Sequence, residues 1–185
     1  MTIHLETSRL ILRPFEERDI EPFSRYRSDP QVAIYQGWQA PYSREQAVRF
    51  VDEMKNKEPG EPGQWYQLAL EVKTSGEIIG DCAFRLLAEN PQQAEIGMTI
   101  ARPYQSLGYA VEAGARLIQY LFGELKLHRL FANIDPRNLA AIRSLQKLGF
   151  RFEGHFIESM WLKDEWVDED WYALLRREWE SQQDK

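Results

Sequence analysis

The chain has 185 residues, 43% of them hydrophobic and 28% charged, with a formal net charge of −6 and a pI near 5.2. That length holds one full core without calling for a second, so one domain over residues 1–185 is expected. The acidity argues against attraction to nucleic acid or an anionic membrane and suits a cationic or amine-bearing partner.

The single cysteine, Cys82, excludes an internal disulfide and a cysteine-cluster metal centre. It lies in the apolar run from Ile78 to Leu86, where a buried, inert thiol is expected. No signal-peptide pattern opens the chain and no apolar run reaches membrane-spanning length. A cytoplasmic, enzyme-sized domain is therefore expected, as a monomer or homodimer.

In chain order, Arg9–Arg13 reads as a short strand ending at Pro14, and Glu16–Ser28 as a helix stopped by Asp29-Pro30. Ser43 and Gln46 form a capping-box pattern at the start of a helix over Arg44–Lys55. A Pro- and Gly-containing loop, 56–63, leads to three strand-like runs near 65–73, 77–86 and 93–101, separated by turn residues. They predict an antiparallel meander. A helix runs from Ala110 to near Gly123, with Glu112 and Arg116 spaced as an exposed i,i+4 pair. A strand over Arg129–Ile134 precedes a helix capped by Asn138 and closed by Gly149. Two last strands, Phe150–Ile157 and Val167–Leu175, join through Lys163-Asp164. The whole is a mixed α/β (α+β) sheet protein.

The most informative segment joins the third meander strand to the next helix: Gln105-Ser106-Leu107-Gly108-Tyr109-Ala110. Residues without bulk at a helix start leave backbone N–H groups open to an anion, and the helix dipole favours negative charge there. The segment lacks the Lys-Ser/Thr of a nucleotide P-loop and the G-x-G-x-x-G of a dinucleotide fold. Taken alone, it is an unspecific anion-binding turn.

Its neighbours narrow it. The run Thr7-Ser8-Arg9-Leu10-Ile11-Leu12-Arg13-Pro14 with Asp19, then Ser28-Asp29-Pro30, Gly80, Glu95-Ile96-Gly97, the Gln105–Ala110 loop with Glu112-Ala113, Asn138, Leu145–Phe150, Glu153-Gly154, Asp168 and Tyr172 resembles, in that order and spacing, the GNAT superfamily of N-acetyltransferases. The closest branch looks like the RimJ/RimL-like ribosomal-protein N-terminal acetyltransferases. The resemblance implies a mostly antiparallel central sheet of about six to seven strands with about four helices, splayed where acyl-CoA enters. It implies acetyl-CoA as co-substrate and no metal. It places the pantetheine arm against Met98, Thr99 and Ile100, beside a bulge near Gly97, and the pyrophosphate on Gln105, Ser106, Leu107, Gly108, Tyr109 and Ala110.

The implied reaction attacks a thioester with a neutral amine. An α-amine titrates near 7.7–8.0 and needs little help, whereas a lysine amine at about 10.4 needs much more. Glu95 is the first candidate for general base, through a water, against the alternative of a surface salt bridge. Asn138 is either a CoA contact as well as a helix cap, or a cap alone. The serine that many relatives carry three residues on is Ala141 here, which puts a serine proton donor in doubt. Tyr172 or Tyr104 would supply a hydroxyl, unless each is a core residue. Glu165, Asp168, Glu169 and Asp170 read either as an attractor of cations or as a solvated hairpin. Trp38 reads as an acceptor-pocket wall or as packing.

The acceptor implied by the branch is a protein or peptide N-terminus. A small amine such as an aminoglycoside or polyamine, or a non-catalytic acyl-CoA-binding role, are the alternatives.

Overall fold

Strands β1 (Leu5–Glu6), β2 (Leu10–Arg13), β3 (Trp65–Val72), β4 (Ile78–Leu86), β5 (Gln93–Ile100), β6 (Arg129–Ile134), β7 (Arg151–Leu162) and β8 (Glu165–Leu175) form one sheet in the order β1-β2-β3-β4-β5-β6-β8-β7. The computed structural model describes residues 2–183; residue 1 and residues 184–185 of the expected 1–185 unit lie outside the described residues. Neighbouring strands are antiparallel except β5 and β6, which run parallel. Six α-helices accompany them: α1 (Ile20–Arg27), α2 (Pro30–Ala33), α3 (Arg44–Asn56), α4 (Tyr109–Gln119), α5 (Leu139–Lys147) and α6 (Arg176–Gln183).

The expected six to seven strands and four helices are thus corrected to eight and six among the described residues. The additions are short or polar. β1 has two residues, too few to show alternation. Asp29-Pro30 ends α1 as expected but also starts α2: Asp29 Oδ1 accepts the Gln31 N–H at 2.9 Å, and Pro30 takes the first helical position, where a missing N–H costs nothing. α6 is polar apart from Trp179, which packs on Phe122 with ring centroids 5.7 Å apart.

The strong local signals hold. Both arms of the Ser43–Gln46 capping box form, at 3.2 and 2.7 Å. Gly149 is left-handed (φ 86°) just past α5. β7 and β8 join through Lys163 and Asp164, both at positive φ, as a two-residue hairpin requires.

Strand alternation divides the core between the two faces of the sheet. On one face Leu68, Leu70, Phe84, Ala94, Leu130, Ala132, Tyr172 and Leu174 pack with Ala113, Leu117 and Leu121 of α4 and Leu145 of α5. On the other, α1 and α3 bury Phe23, Ala47 and Val51 against Ala69 and Ile78. Cys82 is fully buried, and that burial pushes its thiol well above the usual range, in keeping with an inert role.

Candidate acyl-donor and acceptor site

β5 and β6 pair through only three residues, Gln93↔Arg129, Ala94↔Leu130 and Glu95↔Phe131. Beyond Glu95, β5 remains paired to β4 as far as Gly80↔Ile100, but its other edge has no strand partner. A wedge therefore opens between the two strands, lined on one side by Gly97–Ile100. The backbone groups along that edge need partners, and an extended chain with amides of its own would supply them. The β4–β5 register continues without a shift across Gly97, so the bulge expected there is absent. The open edge comes instead from the divergence of β6.

At the end of β5 the chain turns through the segment singled out above. Ser106 (φ 63°) and Gly108 (φ 84°) are left-handed, and Gly108 caps α4. The first hydrogen bond into the helix runs from the Glu112 N–H to the Gly108 carbonyl, 3.0 Å, which leaves the N–H groups of Tyr109, Ala110 and Val111 free for an anion. Gln105 takes a structural part: its Nε2 donates to the Ile100 carbonyl at 2.9 Å and closes the turn.

The N-terminal segment fixes this turn, an arrangement the sequence did not disclose. Glu112 does not pair with Arg116, which reaches Glu124 at 3.5 Å. Its carboxylate instead accepts from Thr7 Oγ1 (2.6 Å), Ser8 Oγ (3.0 Å), the Arg9 N–H (2.9 Å) and Arg9 Nε (2.6 Å). Burial alone would push the Glu112 carboxyl up, but these hydrogen bonds outweigh it and bring it down to about 2. Arg9 also donates from Nη1 to the Leu107 carbonyl at 3.1 Å and lies 4.2 Å over the Tyr109 ring. The partners are about a hundred positions apart, so no local pattern relates them.

Glu95 occupies the last paired position before the wedge. It is buried (9% exposed) and bound by Arg85, which lies over Trp65. Burial raises its proton affinity most; Arg85 partly offsets this, and the charge of Glu169 adds to it, so the carboxyl stands above the usual range. A carboxylate with raised affinity beside an open edge suits general-base work. Tyr172 is not brought to it. It lies on β8 opposite Ala132, on the α4 and α5 face of the sheet, against Phe152.

The other expectations resolve by geometry. Asn138 caps α5, accepting the Ala141 N–H at 3.2 Å, while its amide N–H groups have no protein acceptor among the described residues. Tyr104 donates to Glu77 at 2.8 Å and is engaged elsewhere. Ser144, the next serine along α5 past Ala141, donates to the Ala140 carbonyl at 2.9 Å, within its own helix. Trp38 packs 4.0 Å over the Arg27 guanidinium and donates to the Arg27 carbonyl at 3.0 Å, so packing accounts for it.

On the Glu95 face, two contacts link α2 and Tyr35, two residues past its end, to the far side of the wedge. Lys163, at the hairpin tip, donates to the Ala33 carbonyl, and Tyr35 donates to the Arg137 carbonyl at 3.3 Å. A cleft of about 240 Å³ lies beside them, between Asp135–Arg137 and the hairpin. A second groove, about 510 Å³, runs beside Glu112 and Trp179 and lies away from the wedge.

Residues 9–151 match the family model described as an acetyltransferase (GNAT) domain. The chain belongs to the GNAT acetyltransferases. This acetyltransferase is 34% identical over 178 residues to the uncharacterized N-acetyltransferase YnaD of Bacillus subtilis (strain 168), spanning 96% of this chain and 99% of that one. It is 25% identical to the [ribosomal protein uS5]-alanine N-acetyltransferase of Escherichia coli (strain K12), over 96% and 93% of the two chains. Among solved structures, a GNAT-family acetyltransferase from Bacillus anthracis superposes with a TM-score of 0.83 at 30% identity, covering 95% of this chain and 99% of that one. Among the described residues, no helix is long and apolar enough to cross a membrane.

Proposed function

We propose that this acetyltransferase carries acetyl from acetyl-CoA to the N-terminal α-amine of a protein or peptide, as RimJ/RimL-like enzymes do, and that residues 1–185 act as one domain. One observation carries the donor assignment: the unpaired edge of β5 from Gly97 to Ile100 leads directly into the left-handed Ser106–Gly108 turn. An extended amide-containing arm ending in a diphosphate fits that sequence of groups. In this reading Met98, Thr99 and Ile100 flank the arm, and the loop from Gln105 to Ala110 receives the diphosphate. Asn138 offers its free amide N–H groups to the arm.

The amine nitrogen attacks the thioester carbon, the C–S bond breaks, and the CoA thiolate departs. The amine proton passes through water to Glu95. A backbone N–H on the open β5 edge, such as that of Met98, stabilises charge on the thioester oxygen. With alanine at 141, we assign the proton for the departing thiolate to Tyr172, which lies on the sheet face opposite Glu95 and whose hydroxyl has no hydrogen-bond partner among the described residues. An α-amine suits a single carboxylate base, because its pKa of about 7.7–8.0 leaves little to be removed near neutrality. The likeness to the uS5-alanine enzyme supports the same acceptor class. A small amine is the second reading. The Lys163–Ala33 and Tyr35–Arg137 contacts favour it, because they narrow the approach on the acceptor side.

The test is free-thiol release from acetyl-CoA with a panel of short peptides and small amines. Release that requires a peptide with a free N-terminus is expected. Release with small amines alone would reverse the acceptor order, and binding without release to any amine would favour a CoA-binding role without catalysis.

A further inference from the structure

Of the acidic residues Glu165, Asp168, Glu169 and Asp170 of β8, Glu169 alone is buried. It is 8% exposed, whereas Glu165 is exposed and Asp168 and Asp170 are half-buried. Asn133 Nδ2 donates to its Oε1 at 2.6 Å and Ser159 Oγ donates to its Oε2 at 2.9 Å. No lysine, arginine or histidine pairs with it among the described residues. Buried carboxylates are ordinarily paired with a cation, since two neutral hydrogen bonds replace only part of the lost hydration. A carboxylate has about four lone-pair positions, and only two are filled here.

The local backbone is shaped to this end. The β7–β8 register shifts between Phe156 and Met160, and Glu158 within that break has φ 46°. The extra length carries Ser159 onto Glu169, while the Glu158 N–H donates to Asp168 at 2.8 Å. Alternation along β8 places Glu169 and Trp171 on one face. The pairings Asn133↔Trp171, Phe131↔Ala173 and Glu95↔Phe131 extend that face to Glu95. Between the two carboxylates lies an aromatic floor: Phe131 and Trp171 stack at 5.3 Å, and Phe156 lies 5.6 Å from Trp171. Glu169 also adds to the proton affinity of Glu95, so the two charges are within electrostatic reach. The other charged group bound to Glu95 is Arg85.

We infer that Glu169 anchors the acceptor: its carboxylate pairs with a second positive charge on the substrate while the reacting amine meets the thioester beside Glu95. The acceptor is thus an amine with another cationic group a short apolar span away, the span lying over the Phe131–Trp171 floor. Two sources share that chemistry: a linear diamine, and a peptide with a basic side chain next to its N-terminus. The inference rests on the N-acetyltransferase reading above.

The test compares kcat/KM for matched acceptors, 1,4-diaminobutane against butylamine and Ala-Lys-Ala-amide against Ala-norleucine-Ala-amide. The wild-type protein should prefer the dication by at least about tenfold in one pair, the scale of a charged hydrogen bond, and that pair identifies the source. Glu169→Gln should reduce the preference to about twofold or less, and Glu169→Asp should retain part of it. An unchanged KM for acetyl-CoA in both variants shows that the fold is intact. No preference in either wild-type pair, or a preference that survives Glu169→Gln, overturns the anchor. If no acceptor releases thiol, the transferase reading fails separately. Calorimetric titration of the CoA-saturated protein with both matched pairs then decides the anchor: tighter binding of the dication in one pair, lost in Glu169→Gln, upholds it, and equal or absent binding in both pairs overturns it.

Discussion

Glu95 is a buried carboxylate with one arginine partner and a wedge in front of it, and its proton affinity decides how it can serve. Because that affinity is raised, chiefly by burial, the protonated form persists to higher pH than for an ordinary glutamate, and Glu95 could serve as the proposed base only above that point. Glu95→Gln should therefore slow turnover of an α-amine by about 10²-fold near neutrality. The deficit should be greatest in the window above the raised Glu95 titration and below that of the amine, and shrink toward about pH 9, where the amine is already neutral. A pH–rate series on both proteins checks this; an equal deficit at every pH would remove Glu95 from proton transfer. The resemblance through Glu95-Ile96-Gly97 marked this residue as a candidate. Glu169 was not separable from Glu165, Asp168 and Asp170, because its inward turn depends on strand parity and on a register break around Ser159.

At the scale of elements, the turn into α4 and the N-terminal segment act together. Gly108 is left-handed, and a Cβ there would stand 3.4 Å from Arg9 Nη2, so any side chain meets both backbone strain and the Arg9 clamp. Gly108→Glu adds a negative charge beside the proposed diphosphate site. It should abolish acetyl-CoA binding, measured calorimetrically, at a cost of about 1–2 kcal/mol in folding stability. A variant that binds acetyl-CoA with unchanged affinity would mean that this loop does not hold the diphosphate. The elements bounded by chemical stop signs were legible: the Ser43 box, the Asn138 cap and Gly149 are encoded within a few residues. β1, α2 and α6 escaped for the opposite reason. They are too short or too polar for periodicity to develop, and tertiary contacts define them.

For the whole molecule, the sheet depends on a buried ion cluster at its N-terminal side. Arg13 donates Nη1 and Nη2 to Asp19 (2.7 and 2.9 Å) and Nε to Glu71 (2.7 Å), with all three residues buried. Burial works against the charge on Arg13, but the two carboxylates more than restore it. Arg13→Met leaves two buried carboxylates without this partner and should destabilise the protein by about 3–5 kcal/mol, read from urea unfolding. A change below about 1 kcal/mol would show that Arg18, which also reaches Glu71, supplies the compensation. The Arg13 and Asp19 positions appear in the sequence pattern, but their meeting with Glu71, 58 positions from Arg13, does not.

The clasp of Thr7, Ser8 and Arg9 on Glu112 bears on how the protein is made as well as on how it works. The proposed donor loop is held by a segment that is synthesised about a hundred residues before the carboxylate it grips. A nascent chain that ends before α4 has the residues of the β3–β4–β5 meander but neither the turn nor the carboxylate that Thr7, Ser8 and Arg9 grip. If this loop holds the donor as proposed, donor binding requires both ends of that stretch to be made and closed on each other.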